Sequence, residues 1–255
     1  MALVRLAALA AVTVALGACA PTQPPQGGLP QSVTLRNTDT GTTRQVSGAS
    51  VVLVVAQREM ARRNFGGAVN LVGTAIRSGQ LAGSELSAAH ALRGDAYYLA
   101  GDAARARDDW RTAVEIDGRN TTGLRGMAIV AHLQRKIPES MQFMQRAIDI
   151  SPDNPHLYIT RGLFRLEDRR QIALAHADFD KAVTLKPDLA AAYFYRGLAS
   201  HMSGRYAVAK GDYEKALEIN PGEGRARQAL GLLERRQAPD DSLAPRGRRN
   251  EVVQF

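Results

Sequence analysis

One cysteine and five histidines are the residues best suited to nucleophilic or metal chemistry in this 255-residue chain. A zinc site or a redox pair needs several thiolates or imidazoles at close spacing. Cys19 stands alone, and His90, His132, His156, His176 and His201 lie far apart with no HExxH pattern. No Ser-His-Asp or Cys-His arrangement and no phosphate-binding loop is legible. The carboxylate pairs Asp108-Asp109 and Glu167-Asp168 are sequence neighbours. On a helix such neighbours point about 100° apart and do not converge on one substrate. The expectation is a non-enzyme without metal or cofactor, which leaves the single cysteine to be explained.

Its surroundings explain it. Met1–Arg5 carry one positive charge, and Leu6–Ala18 follow as thirteen uncharged, mostly apolar residues. A membrane-spanning helix needs about 20 apolar residues, so this run has the length of a signal-peptide core instead. It ends Leu16-Gly17-Ala18-Cys19, which resembles the bacterial lipobox. The resemblance implies diacylglyceryl transfer to the Cys19 thiol, cleavage before Cys19 and acylation of the new amine. A cut after Ala20 by ordinary signal peptidase competes, but Pro21 would then follow the cut and is poorly tolerated there. Ala20, rather than Asp, beside the lipidated residue implies sorting to the outer membrane, facing the periplasm.

Beyond the anchor, residues 19–48 are rich in Pro, Gln, Gly, Ser and Thr and are expected to form a flexible tether. Ser32–Arg36 and Thr42–Val46, separated by Asn37–Gly41, could instead pair as a small hairpin. Residues 237–255 mix Pro, Asp and Arg without an apolar period and are expected to be a disordered tail.

Between these flanks the chain repeats itself. Ala113, Ala147, Ala182 and Ala216 recur at spacings of 34, 35 and 34 residues, three of them followed five residues later by proline. Upstream stand the small residues Gly94, Ala128, Gly162 and Gly197. Each is paired with a large one, Trp110, Met144, Phe179 or Tyr213, at 16, 16, 17 and 16 residues. A second small position falls on Ala106, Ser140, Ala175 and Ala209. This pattern resembles the tetratricopeptide repeat. The resemblance implies an all-α solenoid in which large side chains fill the space left by small ones where two helices cross. Four copies fit 87–120, 121–154, 155–189 and 190–223, the third with an extra residue near Asp168–Gln171. A degenerate copy fits 49–82, with Gly83–Leu86 left between copies. Residues 224–236 make a capping helix, with Leu230, Leu232 and Leu233 expected inward and Arg225, Arg227, Arg235 and Arg236 outward.

In that family the first helices of the repeats face a concave groove for peptides or partner helices. The matching positions here are Asp95, Tyr98, Arg125, Ile129, His132, His156, Phe194, His201, Arg225 and Gln228. The family's carboxylate clamp for chaperone tails uses Lys, Asn, Asn, Lys and Arg. The corresponding places hold Ala91, Asp95, Gly126, His156 and Thr160, so that clamp is absent.

Residues 49–236 hold 27 basic and 21 acidic side chains, +6 of the chain's +8, spread over many helices. Without a focused basic stripe, nucleic acid is not an expected partner. The expected partners are proteins in the groove and a membrane through Cys19, with homodimerisation a competing use of the same surface. Among lipoproteins with such repeats, the chain resembles NlpI-type scaffolds of peptidoglycan hydrolases and Tad/Flp pilus-assembly proteins about equally.

Overall fold

The computed structural model describes residues 32–36 and 43–237. The signal run, the Leu16-Gly17-Ala18-Cys19 motif and the tail beyond 237 lie outside the described residues. The described part falls into two compact units, divided in sequence between Ile150 and Ser151.

The first unit opens with two strands, β1 (Ser32–Arg36) and β2 (Thr43–Ser47). They pair antiparallel, with Ser32 opposite Ser47 and Arg36 opposite Thr43. The stretch expected to be a flexible tether therefore carries an ordered ribbon. Valine, leucine and threonine suit an extended backbone, and cross-strand hydrogen bonds satisfy it. Gly48, at φ +71°, turns the ribbon directly into the first helix.

Three helix pairs follow: α1 (Ala49–Ala61) with α2 (Phe65–Arg77), α3 (Gly83–Leu99) with α4 (Ala103–Ile116), and α5 (Thr121–Leu133) with α6 (Ile137–Ile150). Gly83–Leu86, expected to lie between copies, form the first turn of α3, where Glu85 sits favourably at the positive end of the helix dipole. The second unit holds α7 (Pro155–Leu166), a 3-10 turn at Arg169–Gln171, α8 (Ile172–Leu185), α9 (Ala190–Met202), α10 (Tyr206–Ile219) and α11 (Gly224–Gln237).

Local chemistry sets these boundaries. Asn64, Asp102 and Asn120 each accept a backbone N–H three residues on, at 3.0, 2.9 and 2.8 Å, and so start α2, α4 and α5. The turn inside a helix pair needs a left-handed residue. Gly101 (φ +90°) and Gly204 (φ +76°) supply it readily, whereas Arg63 and Arg135 adopt the same conformation at φ +63° and +62°. In α7–α8 the equivalent place is taken by the 3-10 turn, which absorbs the extra residue.

Packing follows the large-against-small scheme. Trp110, Met144, Phe179 and Tyr213 are fully buried, as are Ala106, Ala113, Ala147, Ala182 and Ala216. A side chain added at Gly94 would meet the Trp110 indole at 2.7 Å, at Gly162 the Phe179 ring at 2.5 Å and at Gly197 the Tyr213 ring at 2.8 Å. Trp110 is held from both sides, because a Cβ on Gly126 of α5 would overlap its indole too. In α11 the buried residues are Ala226, Ala229 and Leu233, while Leu230 and Leu232 are only half-buried. The 3–4 spacing of a helix face selects that set over a run of leucines.

Gly126→Ala is expected to lower stability by about 1–3 kcal/mol through overpacking against Trp110. Gly211→Ala, with open space around it, should raise stability by up to about 1 kcal/mol through helix propensity. Urea unfolding of both variants checks the pair, and a neutral Gly126→Ala would contradict the crossing described.

Candidate interaction surfaces

The first helices of the pairs carry the residues expected to face a groove, and several of them are locked in the interior. Asp95 on α3 is 6% exposed. Its Oδ1 accepts from Trp110 Nε1 at 2.9 Å, and its Oδ2 accepts from Arg125 Nη2 of α5 at 2.8 Å. One carboxylate thus joins α3, α4 and α5. Burial pushes the Asp95 carboxyl above its ordinary range, opposed by Arg125 and the Trp110 hydrogen bond. Arg125, Ile129 and His132 are buried as well. Asp95, Arg125, Ile129 and His132 are therefore packing residues rather than an open lining. Helices separated by glycine-sized contacts approach too closely to leave them exposed. Tyr98 stays half-buried, with its ring centroid 5.5 Å from that of Trp110.

In the second unit Phe194 is also buried, 3% exposed, which corrects its place in an open groove. Its ring lies 5.1 Å from Tyr195 and 5.9 Å from Tyr213, centroid to centroid. The Arg225 guanidinium stacks 4.9 Å from the Phe194 centroid and donates to Tyr195 Oη at 2.8 Å and Glu223 Oε1 at 2.8 Å. Burial pushes the Tyr195 phenol up to about 12, so it stays a neutral donor and acceptor. The structure thus brings Phe194 and Arg225 together at one end of this unit. Gln228 on the same helix is exposed. His201 is half-buried, edge-on to Tyr206 at 5.4 Å. His156, also half-buried, sits in the first turn of α7, its N–H donating to Asn154 Oδ1 at 3.0 Å. His176 lies on the second helix of its pair, where burial, then Arg205 and Arg196, hold its imidazole below the usual value.

A recurrent feature is not among the positions singled out from the repeat pattern. The residue before the small crossing glycine is arginine in three helix pairs, and the residue before the large partner is aspartate. Arg93 donates Nε and Nη2 to Asp109, both at 2.7 Å, while His90 Nδ1 lies 2.8 Å from the same carboxylate. Arg161 and Arg165 both reach Asp178 at 2.7 Å. Arg196 Nη2 donates to Asp212 at 2.7 Å. Burial alone would raise the Asp109 carboxyl, but the hydrogen bonds from Arg93 and His90 outweigh it and hold it below the ordinary range. The signal is present in the sequence as Arg-Gly followed by Asp-Trp, Asp-Phe or Asp-Tyr at the spacing of the packing residues. The α5–α6 pair replaces both ions with Met127 and Phe143.

Removing one partner of a buried ion pair strands the other. Asp95→Ala and Arg125→Met are each expected to cost about 3–5 kcal/mol. The double variant should cost clearly less than the sum, as measured by a urea-unfolding double-mutant cycle. Additive losses would show that the pair is uncoupled.

Comparison with known proteins agrees with this architecture. Residues 93–155 and 190–223 match family models described as tetratricopeptide repeat. Hsc70-interacting protein 1 of Drosophila melanogaster is 31% identical over 110 residues, which is 43% of this chain and 29% of that protein. RNA polymerase II-associated protein 3 of Homo sapiens is 27% identical over 135 residues, 52% of this chain and 20% of its own length. The chain therefore spans less than a third of these relatives. A thermophilic TPR protein of Thermus thermophilus superposes with a TM-score of 0.63 at 18% identity, covering 73% of this chain and 98% of that one. A chain of the APC/C hetero-tetramer Cut9–Hcn1 reaches the same TM-score at 15% identity, covering 74% of this chain and 37% of that one. Buried glycines against large aromatics, the 34-residue period and these matches together give residues 93–155 and 190–223 the helix-pair architecture of tetratricopeptide repeats.

Proposed function

We propose that the chain is a lipid-anchored scaffold that holds protein partners at the periplasmic face of the outer membrane. Its place is in envelope machinery, either pilus and secretion assembly or complexes of cell-wall enzymes. One conjunction carries this reading: the chain's single cysteine closes Leu16-Gly17-Ala18-Cys19 ahead of a stack of interaction repeats. Several acyl chains, at about 0.8 kcal/mol per buried CH₂, would hold such a stack on a bilayer firmly. The repeats then act by presenting surface rather than by chemistry.

The fly relatives are named for interaction with Hsc70, and protein binding is the property that carries over. The chaperone-tail mode of binding does not. At the clamp positions Ala91 and Thr160 are 1% exposed, Asp95 is already paired with Arg125, and Gly126 is closed off by Trp110. The accessible polar positions on first helices are instead Tyr98, His156, His201 and Gln228.

Expressed in a bacterial host, the full chain is expected to take up an alkyne-tagged fatty acid and to sediment with outer membranes. Cys19→Ala should do neither. Membrane sedimentation of the Cys19→Ala variant would overturn the anchor. A His201→Ala/Gln228→Ala variant leaves the Phe194–Arg225 stack in place and should lose envelope proteins that co-purify with the parent. Unchanged recovery would exclude this face as the docking surface.

A further inference from the structure

The helix pairs allow the surroundings of equivalent arginines to be compared within one molecule. Arg196 uses Nε and Nη2 on Asp212 and has Nη1 left for a second acceptor. It finds one in Asp180 of α8, at 2.7 Å. Asp180 stands two residues before the repeat-closing Ala182. The equivalent arginine in the first unit is Arg93, which likewise spends Nε and Nη2 on Asp109. Its counterpart of Asp180, two residues before Ala75, is Gly73 of α2. No carboxylate can stand there.

A second guanidinium stands in its place. A Cβ built on Gly73 would lie 3.2 Å from Arg77 Nη1 and 3.7 Å from Arg93 Nη1. Arg77 Nη2 donates to the Thr74 hydroxyl at 3.2 Å, a neutral acceptor. Two cationic forks therefore converge over one glycine. Asp109, the carboxylate that Arg93 holds, is already shared with His90. The like charges repel unless an anion lies between them, and guanidinium forks match carboxylate geometry.

The surface leading away from this point is open. Gly66, Asn70, Gly73 and Arg77 share one face of α2, at helical spacing. Arg93 and Tyr97 are one turn apart on α3. Beyond Tyr97, a cavity of about 680 Å³ is lined by Gly66, Val69, Asn70, Tyr97 and the Ala100–Arg105 turn. Arg105 covers the Tyr97 ring at 4.6 Å. The exposed α2 residues Gly66, Asn70 and Arg77 thus run from this cavity to the two guanidinium groups over Gly73.

We propose that this furrow between α2 and α3 binds an acidic segment of a partner protein. One partner carboxylate would take the position over Gly73 that Asp180 takes beside Arg196, and the flanking chain would lie across Asn70 and Tyr97. The site is distinct from the first-helix positions above and does not depend on Cys19.

The test is fluorescence anisotropy of a fluorescein-labelled hexaglutamate peptide with the purified full chain, at low and at physiological salt. Gly73→Asp installs the missing carboxylate, and Arg77→Gln removes one fork at an exposed position. Each is expected to weaken binding at least tenfold. Gly73→Asp should also raise the melting temperature, and Arg77→Gln, which relieves the same repulsion, should not lower it. Arg119→Gln, an exposed charge elsewhere in the unit, should bind as the parent does. Parental affinity in both furrow variants, or an equal loss in Arg119→Gln, would overturn the site. Tighter binding of inorganic phosphate than of the peptide would overturn the assignment to a carboxylate. The membrane-fractionation result is independent of every one of these outcomes.

Discussion

The close crossing of two helices at a glycine is the constraint on which the rest of this structure depends. With no Cβ at Gly94, Gly162 or Gly197, the facing helix approaches until Trp110, Phe179 or Tyr213 lies directly on backbone. At that separation the residues one step earlier in each helix are within reach of one another. Arg93–Asp109, Arg161–Asp178 and Arg196–Asp212 are thus consequences of the crossing as much as interactions in their own right. The ion pairs fix the rotation of one helix against the other, which bulk alone leaves free. The apolar pair Met127 and Phe143 shows that the crossing itself does not require ions. This agrees with buried ion pairs adding specificity of arrangement more than net stability.

The same closeness decides which surface remains for partners. A first helix pressed this tightly on its neighbours keeps its central positions for internal bonds, as with Asp95 joining Trp110 and Arg125. Accessible side chains are displaced toward helix ends and toward the seams between pairs. His201 illustrates the first, and Asn70 and Tyr97 the second.

Much of the fold is legible in the sequence because its determinants are periodic. Ala113, Ala147, Ala182 and Ala216 announce the period, and the small-to-large spacing of 16 or 17 residues identifies which side chains interlock. The candidate site is less legible. Position in the repeat places Asp95, Arg125, Ile129, His132 and Phe194 on first helices correctly, yet exposure depends on how near the next helix comes. For the first four, that distance is set by Gly126, which the repeat pattern marks only as a place in an absent clamp. The ribbon at Ser32–Arg36 and Thr43–Ser47 is ambiguous for a different reason: its composition suits both tether and strand, and only cross-strand bonding decides between them.

Residue type and spacing alone therefore establish the repeat period, the interlocking large and small residues and a lone cysteine at Cys19. These follow from local rules, since helix periodicity and close packing act between residues a fixed number of positions apart. Which carboxylate meets which arginine is decided only in three dimensions. Asp180 satisfies Arg196, whereas Gly73 leaves Arg93 and Arg77 facing each other. The sequence shows the change from Asp180 to Gly73, but not that each position faces an arginine of the following helix. Burial and charge pairing are properties of neighbours brought together by the chain's return, and a sequence reads them only once the helices that return have been placed.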